Sequence, residues 1–294
     1  YSSPGTLTRV NDTYGAKSMT LRCPINYLQY AASGAPNVYS DTVGFGGMKN
    51  VTSTMRHAWL LALTSGMAVS DNPWNHGWSD DDQAKLKKAI DFHYALGPYL
   101  YSAAVKSHNT GYPYTMTPLP IAFPGDTATY NLASNTTQQF QWMVGESLLA
   151  APLLHKNYAK TSLVDIYLPE GAWIDIETGA AYTGPKTLSD FDMPLEKTPV
   201  FIGGKGILLL RNLQDGQLSV EVYAVSKEAQ TTTFHLANGK DTITIENNLM
   251  GKNIKKAAVR AESTGKVVPH RLDKKRKAVI FTPEKNKRYT ISCK

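Results

Sequence analysis

Two aspartates stand where an enzyme built on parallel strands would place catalytic groups. Asp12 follows the strand-like stretch 5–10, and Asp41 follows the strand-like stretch 35–40. In a parallel α/β barrel the catalytic side chains sit at the C-terminal ends of strands, because the βα loops converge there. A pair of strand-end carboxylates is therefore a candidate site for acid/base work. Both could equally be helix-capping or turn aspartates, which the same loops use often, and the pattern alone leaves the two readings open.

The elements that must carry them alternate. The spacing predicts a strand over 5–10, an amphipathic helix over 19–32 ended by Ser33-Gly34, and a strand over 35–40. Longer helices are predicted over 52–69 and 80–108, the second opened by the acidic capping run Ser79-Asp80-Asp81-Asp82. Strand, helix, strand, helix is the order of a parallel α/β domain. From about Met116 prolines punctuate short apolar or alternating runs, such as 163–168 and 200–210, which suits antiparallel β-structure with one helix over 136–146. Strands are expected at 217–225, 231–235, 242–246 and 278–282, with Asn238-Gly239 as a turn and a second β-domain starting near Arg211. The expected division is 1–115, 116–210 and 211–294, an α/β part followed by two antiparallel all-β domains.

Composition excludes several classes. Hydrophobic residues make up 42% of the 294 positions, enough to build cores, so global disorder is excluded. The net charge of +7 is concentrated in runs such as Lys252 to Lys256 and Lys274-Lys275-Arg276-Lys277. Without interleaved aromatics or a groove-reading motif these read as a solvated β-surface, and no nucleic-acid partner is expected. Cys23 and Cys293 provide neither a disulfide framework nor a paired-cysteine metal motif. His76, His93 and His108 have no second ligand at metal spacing and read as packing or surface residues. No metal and no organic cofactor is expected, and no apolar run is long enough to cross a bilayer. The opening Tyr1-Ser2-Ser3-Pro4 has no initiator methionine, from which we expect a fragment whose upstream residues were removed or lie on another chain. The acceptor patterns Asn50-Val51-Thr52 and Asn135-Thr136-Thr137 point to a secreted or periplasmic setting.

Several strings are more specific. Asp12, the helix end Ala31-Ala32-Ser33-Gly34-Ala35-Pro36 and the segment Ser40-Asp41-Thr42-Val43-Gly44-Phe45 follow one another as an aspartate, a Ser-Gly-x-Pro turn and an Asp-x-x-Gly-Phe strand end. Leu96-Gly97-Pro98-Tyr99-Leu100-Tyr101-Ser102 follows, then Thr117-Pro118-Leu119 with Phe123-Pro124, and the run from Gln139 to Pro152. Tyr167 to Asp175, Thr178-Gly179 with Tyr182 and Gly184, and Pro199 to Gly206 complete the order. In these strings, spread over roughly two hundred residues, the chain resembles glycoside hydrolase family 31.

The resemblance implies the C-terminal part of a (β/α)8 TIM barrel followed by two antiparallel β-sandwich domains. It implies a retaining, exo-acting glycosidase of terminal α-linked sugars, glucose being the commonest choice, with α-galactosidase, α-xylosidase and transglycosylase as alternatives. Asp12 takes the role of general acid/base, while the nucleophile lies on an earlier strand and must come from an N-terminal portion of the enzyme. Asp41, Phe45, Asp71 and Trp74 become sugar-pocket residues, Phe45 by stacking, although core packing would equally explain it. Two departures put the usual glucose preference in doubt: Arg9-Val10-Asn11 replaces Trp-x-Gly before the acid, and the loop 68–74 lacks the customary histidine. Arg9 would contact sugar hydroxyls or pair with a carboxylate. A rival from another class is a noncatalytic carbohydrate-binding β-protein, for which the proline-punctuated strands and Trp173 would suffice.

Overall fold

The computed structural model describes residues 8–9, 22–39, 42–44, 47–252 and 254–293. Strand β1 (Thr8–Arg9) lies parallel to β2 (Val38–Tyr39), Thr8 opposite Val38 and Arg9 opposite Tyr39. Parallel neighbours need a crossover, and helix α1 (Arg22–Ala32) lies between them in sequence, burying Tyr27, Leu28 and Ala31. It stops at the expected Ser-Gly: Gly34 takes φ +87, and the Ala35 N–H bonds to Tyr30 O at 3.0 Å.

Helix α2 (Val51–Ala62) starts where the Asn50 side chain accepts from Ser53 N–H at 2.9 Å. It ends well before Val69, the limit that apolar spacing suggested. The Thr64 hydroxyl, 3.0 Å from both Leu61 O and Gly66 O, turns the chain out of the helix. The following residues run beside β2: Ser65 N–H reaches Val38 O, Val43 N–H reaches Ala68 O at 2.8 Å, and Val69 pairs in parallel with Val43. The apolar run 67–69 is therefore an extended segment. Helix α3 (Asp80–Thr110) is capped by the Ser79 hydroxyl on Asp82 N–H, and its acidic first turn faces the positive end of the helix dipole.

Beyond it, β3 (Thr117–Pro118) and the single turn α4 (Leu119–Ala122) lead into an antiparallel sheet with β4 (Trp142–Val144), β5 (Leu148–Ala150), β6 (Leu163–Asp175), β7 (Ala181–Asp192) and β8 (Val200–Ile202), in the order β3-β4-β5-β8-β6-β7. The sheet is curled so that Tyr182 and Phe191 of β7 pack edge-on against Phe201 of β8. Successive residues of its short strands enter different cores. Trp142, Val144, Leu148, Ala150, Val200 and Ile202 face the large core shared with the helices, while Met143, Leu149 and Phe201 join Leu168, Trp173 and Leu188 on the other side. Burial on both faces removes the polar alternation that marks a strand. This is why 136–146 reads as a helix from sequence; in the structure 136–141 is turn and irregular chain and 142–144 is β4.

The remaining strands form two facing four-stranded sheets. One has the order β14-β15-β10-β9, from β9 (Ile207–Arg211), β10 (Leu218–Tyr223), β14 (Arg271–Asp273) and β15 (Ala278–Phe281). The other has the order β11-β12-β16-β13, from β11 (Gln230–His235), β12 (Thr242–Asn248), β13 (Ala257–Ala261) and β16 (Lys287–Cys293). Val220, Val222 and Val279 of the first meet Ile243, Ile245 and Ile291 of the second. Strand β9 pairs with β10 through Ser219 opposite Leu210, so the sheet of the distal unit begins at Ile207, ahead of Arg211.

One carboxylate ties three of these parts together. Glu146, in the β4–β5 turn, receives Lys106 of α3 at 2.5 Å, Lys205 at 2.6 Å and the Thr232 hydroxyl of β11 at 3.2 Å. Burial acts to raise its pKa, but Lys106 and Lys205 outweigh burial and hold it below the ordinary carboxylate value. A depressed folded-state pKa contributes stability that is complete above the unfolded value, about 4.3, and is lost as pH falls through the folded one. The urea midpoint should therefore drop between about pH 5 and about pH 3 more steeply in the parent protein than in Glu146→Gln, which cannot titrate. Parallel midpoint curves would remove the assigned role of this joint.

Candidate active site

The parallel segments end on one side. Arg9 closes the described part of β1, Tyr39 closes β2, and Val69 closes the segment bridged to Val43. Asp12, Asp41 and Asp71 follow these ends by two or three residues in sequence. Asp12, Asp41 and Phe45 lie outside the described residues, and of Arg9 only the backbone pairing in β1 is described.

Asp71 and Trp74 are brought together in one loop. Ser70 N–H bonds to Val43 O at 3.0 Å, which pins the loop to the segment 42–44. Pro73–His76 then forms a single 3-10 turn, with proline in its first position and Gly77 at φ +69 as its left-handed exit. This turn brings His76 back onto Asp71, Nε2 to Oδ2 at 2.5 Å, while Asp71 Oδ1 accepts from Asn72 N–H at 2.7 Å. The His76 hydrogen bond, and after it the Asn72 amide, hold the Asp71 carboxyl below its ordinary pKa. Gly44, at φ +87, packs closely here: a Cβ on it would lie 2.7 Å from Met48 Cε and 3.2 Å from Asp71 Cβ. The Trp78 indole N–H donates to Met48 O at 2.7 Å and closes the loop from below.

The loop thus presents an acceptor-only carboxylate and, three residues on, an indole that is 63% exposed. Sugar hydroxyls donate to such a carboxylate, and a pyranose face packs on such a ring. His76 was read from sequence as a packing or surface residue, yet it is the partner that orients Asp71. The signal was present in the spacing: Asn72-Pro73 and Gly77 delimit one turn, and one turn brings positions 71 and 76 together. His93 sits in another environment, its Nδ1 3.2 Å from Ala62 O, with burial lowering its pKa. Among the described residues no group of three or more His, Cys, Asp and Glu side chains is placed to hold a metal ion.

Residues 111–208 match the glycosyl hydrolase family 31 C-terminal domain. The chain is 33% identical over 208 residues to a 1,6-alpha-glucosyltransferase of Sporosarcina globispora, covering 65% of this chain and 15% of that protein. It is 30% identical over 167 residues to alpha-glucosidase 2 of Bacillus thermoamyloliquefaciens, covering 57% of this chain and 19% of that protein. The chain thus spans less than a fifth of the length of either relative. In fold it is similar to a family 31 dextranase of Flavobacterium johnsoniae solved with glucose, with a TM-score of 0.60 and 20% identity, over 90% of this chain and 40% of that one.

The Asp71–His76 pair can be tested directly. In His76→Phe the Asp71 carboxyl loses the donor that favours its ionised form, so its pKa should rise toward the ordinary aspartate value. Carbon-13 titration of the Asp71 carboxyl reads this shift, and an unchanged curve would remove His76 from the site.

Proposed function

Because this chain belongs to glycosyl hydrolase family 31, we propose that the protein of which it forms the C-terminal part is a retaining, exo-acting α-glycosidase, an α-glucosidase first. The observation that carries the reading is the parallel arrangement of the segments ending at Arg9, Tyr39 and Val69, each followed within three residues by an aspartate. Residues 1–115 are read as the end of a (β/α)8 barrel, followed by a proximal β-domain from 116 and a distal β-domain whose sheet begins at Ile207. The substrate is an oligosaccharide or other α-glycoside. The N-terminal portion supplies the nucleophilic aspartate and the rest of the barrel. Exported, secreted or periplasmic protein fits the exposed sequon residues Asn50 and Asn135, and a mass loss on deglycosylation of material from its source would test this.

In this reading Asp12 protonates the departing glycosidic oxygen while the nucleophile attacks the anomeric carbon. It then deprotonates the water that releases the sugar. Asp71, fixed by His76, accepts a sugar hydroxyl, and Trp74 packs on a ring; Arg9, Asp41 and Phe45 complete the pocket. A site built to hydrogen-bond particular hydroxyls rejects the wrong epimer by leaving buried polar groups unpaired.

In the intact protein, Asp12→Asn should lower kcat/KM, which reports the glycosylation step, for a phenyl α-glycoside by about 10²–10⁴-fold. An activated dinitrophenyl α-glycoside, which needs little protonation to leave, should lose less than about tenfold. Equal losses would reject the role, and a panel of aryl α-glycosides identifies the sugar. The named glucosyltransferase relative favours a second reading, sugar transfer through the same intermediate. Products that grow with added acceptor sugar, at the expense of free monosaccharide, would select it. Sugar binding without cleavage by the intact protein would instead select a carbohydrate-binding protein.

A further inference from the structure

The two basic runs, far apart in sequence, meet at one cleft. Its volume is about 520 Å³, and it lies between the β6–β7 hairpin and the distal sheets. The hairpin touches the distal unit closely here: a Cβ on Gly179 would lie 1.8 Å from Lys275 O. The floor is apolar and mostly aliphatic, from Ala172, Trp173 and Ile174 of β6, Val225, Ile254 and Leu272. The rim carries Lys252, Lys255, Lys274 and Lys277. The intervening Arg276 turns away into the distal sheet, where it is 2.8 Å from Glu221 and 2.8 Å from Asp273. Lys252, Lys274 and Lys277 form no ion pair among the described residues.

This lining sets the chemistry of the occupant. No lining side chain is a carboxylate, an amide or a hydroxyl, so nothing in the side-chain set accepts from sugar hydroxyls, and a neutral glycan would leave its donors unpaired. An apolar floor rewards an alkyl chain roughly in proportion to the area buried, and a ring of ammonium groups matches an anionic head. Residues 211–294 hold 17 of the 31 Lys and Arg but 8 of the 24 Asp and Glu, a balance of +9 against −2 for residues 1–210, so the field at the rim also attracts anions. We propose that this cleft binds one molecule of a single-chain amphiphile with an anionic head, an alkyl carboxylate, with the chain on the floor and the carboxylate among the lysines. The cleft is a second binding site, remote in sequence from the loop of Asp71 and Trp74.

The test uses the intact protein and monomeric dodecanoate, kept below its micelle concentration, in isothermal titration. One-to-one binding is expected. Lys252→Gln/Lys274→Gln/Lys277→Gln should weaken it at least about tenfold, and salt raised from about 0.02 to about 0.5 M should weaken it as well. Ala181→Trp, which places an indole from the exposed edge of the lining into the cleft, should abolish it while the urea midpoint stays unchanged. No binding, equal binding of dodecan-1-ol, or tight binding that survives the triple substitution would each overturn the proposal. So would binding confined to anionic vesicles, or a soluble oligogalacturonate that binds in place of dodecanoate. Glycoside turnover is no part of the readout, so this inference and the catalytic reading fail separately.

Discussion

The fold depends on a constraint carried by very short strands: β4, β5 and β8 divide their side chains between two cores. Trp142, Leu148 and Ile202 point one way, and Met143, Leu149 and Phe201 the other. A slip of one residue in any of these strands would send each side chain into the wrong core, so register is set by both faces at once. The constraint reaches the candidate active site through one hydrogen bond, from the Trp142 indole N–H to Leu63 O at 3.2 Å. Leu63 closes α2, and the chain that leaves it becomes the extended segment 64–69 and then the loop of Asp71. The Trp59 indole N–H makes a second tie from α2, to Leu195 O at 2.7 Å. The β-domain thus holds the element that presents Asp71.

Helix α3 spreads the same order over the molecule. At 31 residues it runs about 46 Å, long enough to pack on α2 at one end and on the distal sheets at the other. Tyr99 sits at its middle, wholly buried, where its hydroxyl donates to Val144 O at 3.0 Å and accepts from Ser147 N–H at 2.9 Å. Burial, the first cause, and the nearby Glu146 push its pKa well up, so it remains a neutral donor. Ser102 of α3 also accepts from His235 N–H of β11, which fastens the second distal sheet. Hydrogen bonds at fixed points along this helix add directional ties to the apolar packing that stacks the layers.

Some of this was legible in the residues. The stop of α1 and the start of α3 could be read because the signals are local: the Ser33-Gly34 exit, the Ser79 cap, the acidic first turn. Val51–Ala62 was legible as a helix but not in length, since the apolar run 67–69 continues its pattern and only the Thr64 hydrogen bonds divert the chain. The stretch 136–146 was misread because a strand buried on both faces has no polar alternation. His76 was discounted for want of a metal partner, although its partner was a carboxylate one turn away. Lys274 to Lys277 read as a uniform solvated face, whereas packing turns Arg276 inward and leaves its neighbours around a cleft.

The sequence by itself determined the order of the elements, the change from helical to β texture near Met116, and the family resemblance, because these rest on neighbours a few residues apart. Tertiary structure alone decided that Val43 and Val69 lie side by side and that Glu146 joins three units. Each of these joins groups whose meeting depends on how layers stack, and stacking is set by side-chain volume summed over two cores, a quantity that no local pattern in the chain contains.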